Sequence, residues 1–224
     1  MTNDHNQKSS GKKYLIWIAG LIGLFIVLSI LVMSGKTAQL DEALLLMMRN
    51  ADDLSIAIGP HWLSETARDV TALGSIVWLF SISFVLMLIK VFGENKREAW
   101  FILFSAIGSW ALSFSLKYFF SRNRPQLISS EVEVYSQSFP SAHALMTITI
   151  FSAMSLIFSQ SLNNKSQKVT LWVSTIIIIA AVGVSRLYLG VHWATDVIAG
   201  WTLGAALVLA LWYWLKSKTT TPSE

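Results

Sequence analysis

The chain contains no cysteine, only 4 prolines, and charged residues at just 13% of its 224 positions. Without cysteine, disulfides and thiolate metal sites are excluded. No Pro/Gly/Ser-rich linker, internal repeat or low-complexity tract divides the sequence, and its length suits one domain. A soluble domain carries about 25% charged residues, so the deficit points to lipid as the solvent. The net charge of +4, scattered among apolar runs, does not suggest nucleic-acid binding. What is abundant is hydrophobic sequence, at 54%.

A spanning helix needs roughly 20 mostly apolar residues. Six segments meet or approach this: 14–33, 72–89, 99–116, 144–158, 169–184 and 197–215. The expected fold is therefore all-α, an integral membrane bundle of six transmembrane helices. With the N-terminus inside, Lys8, Lys12, Lys13, Lys90, Lys96, Arg97, Lys165, Lys168, Lys216 and Lys218 fall on cytoplasmic pieces, against Lys36, Arg49, Arg68, Lys117, Arg122, Arg124 and Arg186 on outer ones, giving a positive-inside bias. Both termini are then cytoplasmic. Four cations crowd the outer face against this trend: Lys117, Arg122, Arg124 and Arg186. The first apolar run is long for a signal peptide, and Met33-Ser34-Gly35-Lys36 offers no small-x-small cleavage site, so a retained anchor is expected. The domain reading is a disordered N-terminus at 1–13, one membrane domain at 14–215 and a cytoplasmic tail at 216–224.

The first outer segment, 34–70, is not a span. Leu40, Ala43, Leu44, Met47, Met48 and Ala51 recur at helical spacing, with Asp41, Glu42, Arg49 and Asn50 between them. This predicts a short interfacial helix on the outer side, read as a connector resting on the bilayer. The stretch Arg68–Gly74 reads as a capped helix start.

Three later stretches meet at the same outer face in this topology. They are Lys117 to Arg124-Pro125, Phe139-Pro140-Ser141-Ala142-His143, and Ser185-Arg186 through His192 to Asp196. Lys117, Arg124 and Arg186 suit a phosphate, because guanidinium forks grip its oxygens in pairs and a lysine adds a point charge. Ser141 before an apolar run is an N-cap candidate, and the helix start behind it favours an anion. His143 then falls in the first turn. His192 and Asp196 share one face if the last helix has begun there, and the carboxylate can hold one ring nitrogen while the other stays free to attack.

Each feature alone has an ordinary explanation. Lys117 and Arg124 could be headgroup anchors, His143 a structural ring near a cap, and His192 with Asp196 a structural hydrogen bond. Their conjunction at one face favours chemistry. Two histidines and an aspartate could also ligate zinc or iron, but three neighbouring cations oppose a dication. No metal and no cofactor are assigned.

Lys117 with Arg124-Pro125, Pro140-Ser141-x-His143, and Ser185-Arg186 with His192 and Asp196 resemble the three signature motifs of the type 2 phosphatidic acid phosphatase (PAP2) family. The likeness covers roughly residues 68–224. It implies that His192 attacks phosphorus to form a phosphohistidine, with Asp196 orienting it. It also implies that His143 protonates the departing oxygen and then helps activate water, while Lys117, Arg124, Ser141 and Arg186 hold the phosphate. The family usually has glycine where this chain has Ala142. Alanine is strained there at positive φ and harmless if the position is already helical; the helical reading is preferred.

A site at the outer edge of the bilayer favours a lipid phosphate or diphosphate of the undecaprenyl diphosphate, phosphatidylglycerol phosphate or phosphatidic acid type. The expected protein is a metal-independent lipid phosphatase of the inner membrane, with its active site facing the periplasm and membrane lipids around it. Alternatives are a lipid phosphotransferase using the same site and a non-catalytic anion-binding or transport protein. Soluble vanadium haloperoxidases carry similar motifs, but six spans in a short chain argue against them.

Overall fold

The computed structural model describes residues 2–126 and 136–217, with side chains described from Gly11 onward. The described residues form α1 (Thr2–Met33), α2 (Ala38–Leu46), α3 (His61–Ala72), α4 (Ile76–Phe92), α5 (Lys96–Phe120), α6 (Ala142–Ser161), α7 (Lys165–Tyr188) and α8 (Ala194–Ser217). Among them there is no strand, only an isolated bridge between Arg49 and Ala57. The all-α expectation holds.

The helices α1, α5, α6, α7 and α8 are each long and apolar enough to cross a membrane. The candidate for a sixth span is α4. Its 17 residues cover only about 26 Å at 1.5 Å per residue, short of a bilayer core near 30 Å. It meets the length requirement together with α3, from which it bends by 43°. The break follows from Ser75, whose hydroxyl caps α4 by accepting from the Trp78 N–H. The expected second span is thus a bent pair of helices, and Arg68–Gly74 falls at the end of α3 and the break instead of opening α4.

The polar N-terminal stretch is assigned as helical backbone from Thr2, continuous with α1. Extending an existing helix costs far less than nucleating one, and no proline interrupts this stretch. The tail beyond Ser217 lies outside the described residues. The outer segment also holds two helices, not one. On α2, Asp41 and Leu45 are fully buried while Gln39, Leu40 and Glu42 are exposed. Leu45, with Leu44 and Met48 beside it, packs against Leu187 and Ala194, so the inward face of α2 is apolar apart from Asp41.

In lipid, helix association depends on close packing more than on removing apolar surface from water. The centre of the bundle is the α6–α8 pair, the most enclosed of the spans. Gly200 and Gly204 on α8 allow this approach: a Cβ at Gly200 would stand 2.7 Å from the Ser141 carbonyl oxygen, and one at Gly204 2.6 Å from that of Leu145. Phe101, Ile102, Ile157 and Trp212 fill the core toward the end remote from Ser141. That end also carries Lys90 paired with Glu98 at 2.8 Å and Lys216 bonded to Gln160 at 2.7 Å. The opposite end gathers the C-termini of α5 and α7 and the N-termini of α6 and α8.

Candidate active site

At that end α7 finishes at Tyr188, and Gly190, at φ +70°, turns the chain so that His192 precedes α8. The last helix has therefore not begun at His192, and the condition for a shared helical face with Asp196 is not met. The pair still meets, because Asp196 lies in the first turn of α8 and Nδ1 of His192 stands 3.3 Å from its Oδ2. The same oxygen accepts from the Trp193 N–H at 2.9 Å and from the Ser138 hydroxyl. His192 and Asp196 are both almost wholly buried.

On the other side of the ring, Arg124 Nη1 lies 3.2 Å from Nε2 of His192. The network assigns the tautomer: Nδ1 donates to Asp196, and Nε2 presents its lone pair to the guanidinium. Arg124 is itself fixed by the carbonyls of Val191 and Ser136, the latter 2.7 Å from Nε. Burial and the charges of Arg124, Arg186 and Lys117 push the His192 pKa well below that of a free histidine. The ring is neutral at physiological pH, so its contact with Asp196 is a hydrogen bond and not an ion pair. Arg124 is lowered by burial to about 10, against the pull of Asp196, and remains charged.

Lys117 belongs to α5, which continues past the expected end of the span to Phe120. It is 4% exposed and donates to the Gln137 carbonyl and, at 3.4 Å, to Ser136 Oγ. Ser141 is the N-cap of α6, accepts from the Ala144 N–H, and donates its own N–H to the Asp196 carbonyl at 3.0 Å. Ala142 is the first residue of α6 and is absent from the positive-φ residues, so alanine is unstrained there. His143, in the first turn, lies within electrostatic reach of Arg186, His192, Lys117 and Arg124. Arg186 is 3% exposed, and its Nη1 donates to Thr71 Oγ1 at 2.8 Å. Its Nε is buried with no hydrogen-bond partner among the described residues.

All seven residues singled out from the sequence therefore gather at one end of the bundle. Several of their neighbours were not foreseen. Thr71 orients Arg186, and a Cβ on Gly74 would stand 3.2 Å from Cδ2 of His143, so the Arg68–Gly74 stretch borders the site. Ser138 fixes Asp196. Arg122, noted only as an outer cation, donates to Asp196 Oδ1 at 2.6 Å and to Asp41 Oδ2 at 2.7 Å. A cavity of about 500 Å³ opens beside this group, lined by Asp41, Glu42, Arg122, Arg124 and Trp193 among others. Among the described residues, no three His, Cys, Asp or Glu side chains form a group able to hold a metal ion.

The long apolar helices define the class, an integral membrane helical protein, and at one end of the bundle buried cations surround a neutral imidazole. Residues 98–220 match the PAP2 superfamily. The chain belongs to that superfamily. It is 28% identical to phosphatidylglycerophosphatase B of Bacillus subtilis, over 82% of this chain and 87% of the relative. It is 29% identical to undecaprenyl-diphosphatase of Sulfolobus acidocaldarius, over 87% and 88% respectively. The fold resembles the crystal structure of the transmembrane PAP2-type phosphatidylglycerolphosphate phosphatase from Bacillus subtilis, with a TM-score of 0.78 at 23% identity over 92% of this chain and 98% of the other. Aquifex aeolicus LpxE gives a TM-score of 0.57 at 22% identity, covering 77% and 94%.

Proposed function

We propose that this protein is a lipid phosphatase that hydrolyses a lipid phosphate or diphosphate through a phosphohistidine on His192. The observation that carries the reading is the 3.2 Å approach of Arg124 to Nε2 of a His192 ring whose Nδ1 is committed to Asp196. A guanidinium at the lone pair is where the oxygens of an incoming phosphate would be gripped. The unfilled Nε donor of buried Arg186 supports the same reading. The names of the curated relatives favour a lipid substrate.

In the proposed reaction Nε2 of His192 forms a bond to phosphorus as the bond from phosphorus to the departing oxygen breaks. Asp196 stabilises the charge that develops on the ring. His143, in its protonated form, delivers a proton to the departing oxygen; a bound phosphate dianion offsets the surrounding cations and favours that form. Neutral His143 then takes a proton from water, which attacks phosphorus, releases inorganic phosphate and restores His192. Lys117, Arg124, Ser141 and Arg186 hold the phosphate oxygens through both steps. Every step uses protein groups, and no metal is invoked.

The site is proposed to face the periplasm from the inner membrane, with both termini cytoplasmic and residues 14–215 acting as one domain. Reporters near Asn95 and Lys165 should then read cytoplasmic, and one near Ser130, which lies outside the described residues, external. The catalytic test is phosphate release from a panel of lipid phosphates by protein purified in detergent containing EDTA. His192→Ala should abolish release; full activity in that variant, or loss of wild-type activity on chelation, would defeat the mechanism. Adding an acceptor lipid distinguishes hydrolysis from phosphotransfer, and binding without turnover would favour a non-catalytic anion-binding protein.

A further inference from the structure

Asp41 has no part in the reaction just described, and it lies outside the residues that match the superfamily. It is nevertheless 0% exposed, one helical turn before the fully buried Leu45 on α2. Its Oδ1 accepts from the Thr195 N–H at 2.9 Å, and its Oδ2 accepts from Thr195 Oγ1 and from Arg122 Nη2, both at 2.7 Å. Arg122 continues the chain, since its Nη1 donates to Asp196 Oδ1 at 2.6 Å. One guanidinium fork thus joins two buried carboxylates. With Oδ1 of Asp196 held by Arg122, Oδ2 is the oxygen turned to Nδ1 of His192.

We propose that Asp41 and Arg122 are positioning residues for the phosphoryl-transfer step: Asp41 fixes the Arg122 fork, and the fork sets the rotation of Asp196 that holds His192. This rests on His192 being the nucleophile. Neither residue reaches the phosphorus; each acts through Asp196. The arrangement needs a planar fork, because a lysine ammonium cannot reproduce the two-sided grip. It also needs the charge of Asp41, because a neutral amide would hold the guanidinium more weakly. The outer-surface helix α2 is thereby tied to the catalytic carboxylate instead of serving as a connector.

Asp41→Asn keeps the shape of the side chain and an acceptor for Thr195, but removes the charge that holds Arg122. Its kcat should fall about 10-fold or more while KM changes by less than about 2-fold, as expected when orientation and not binding is lost. In an Asp196→Ala background, assayed over long incubations, Asp41→Asn should cause no further loss, because the group through which it acts is gone. Arg122→Lys, which keeps the charge and loses the fork, should show the same pattern and decides the matter if Asp41→Asn fails to fold. Activity of the single variants within about 2-fold of wild type, or an equal further loss in the Asp196→Ala background, would overturn the proposal. His192→Ala measured alongside separates the two claims. Turnover in that variant defeats the histidine mechanism, whereas its inactivity beside unimpaired Asp41 and Arg122 variants defeats the positioning role alone.

Discussion

Arg124 stands with Nη1 3.2 Å from Nε2 of His192, on the opposite side of the ring from Asp196. The imidazole is held at both nitrogens, by a carboxylate at one and a cation at the other. In the proposed mechanism a phosphate drawn to the cation arrives at the nitrogen that attacks it. Attraction of the substrate and orientation of the nucleophile are, on that proposal, properties of one contact.

Arg124→Lys tests that contact. Lysine keeps a charge but not the fork that simultaneously meets Ser136, Val191 and the ring. The expected loss in kcat/KM is about 100-fold, the scale of removing an oriented donor from a charge-stabilising site. Phosphate release across a substrate series measures it.

Vanadate, which imitates a phosphoryl group in flight, should inhibit competitively. Arg186→Gln should weaken that inhibition about 10-fold or more, because the buried guanidinium is assigned to the oxyanion. Inhibition constants in detergent are the readout, and indifference of the wild-type protein to vanadate would count against the site.

The lowered pKa of His192 links pH to stability. The unfolded ring titrates near 6.5 and the folded ring below it, so in that window the unfolded state binds the extra proton. Stability is fully present above about pH 6.5 and is lost as pH falls toward the folded value. Thermal unfolding in detergent should fall from pH 7 to about pH 5, with a shallower slope for His192→Asn.

Two substitutions probe the α6–α8 contact. Gly200→Val places side-chain carbon against the Ser141 carbonyl, where even a Cβ would approach to 2.7 Å. It should cost about 1–3 kcal/mol, and activity with it, since α6 must shift away from Asp196. Ala142→Gly should preserve activity and cost less than about 1 kcal/mol, because the position is already helical.

The spans and the three motifs were legible because both are written in local sequence: long apolar runs, and chemistry-bearing residues at fixed spacing near their ends. Asp41 was not. Its spacing placed it on the polar side of an amphipathic helix, and that pattern cannot say whether the polar side meets water or a buried arginine. In the fold Asp41 turns inward beside the buried Leu45, while its polar neighbour Glu42 stays exposed. Helix α3 escaped notice for a related reason. Its sequence has no apolar run, and packing of Ala67 against Tyr188, Leu189 and Val191 holds it in place. The spacing of His192 to Asp196 matches a helical turn only if α8 begins by His192, and it begins at Ala194. The same separation is bridged by the loop after Gly190, where Asp196 also accepts from the Trp193 N–H.

The most direct test of the central claim is isolation of the phosphorylated protein. The purified protein is mixed with a lipid labelled in its phosphate, in EDTA, and quenched within one turnover. The account predicts a label on His192 that survives alkali, is lost in acid and disappears in His192→Ala together with phosphate release. Release at the wild-type rate from His192→Ala, or a label on another residue, would contradict it.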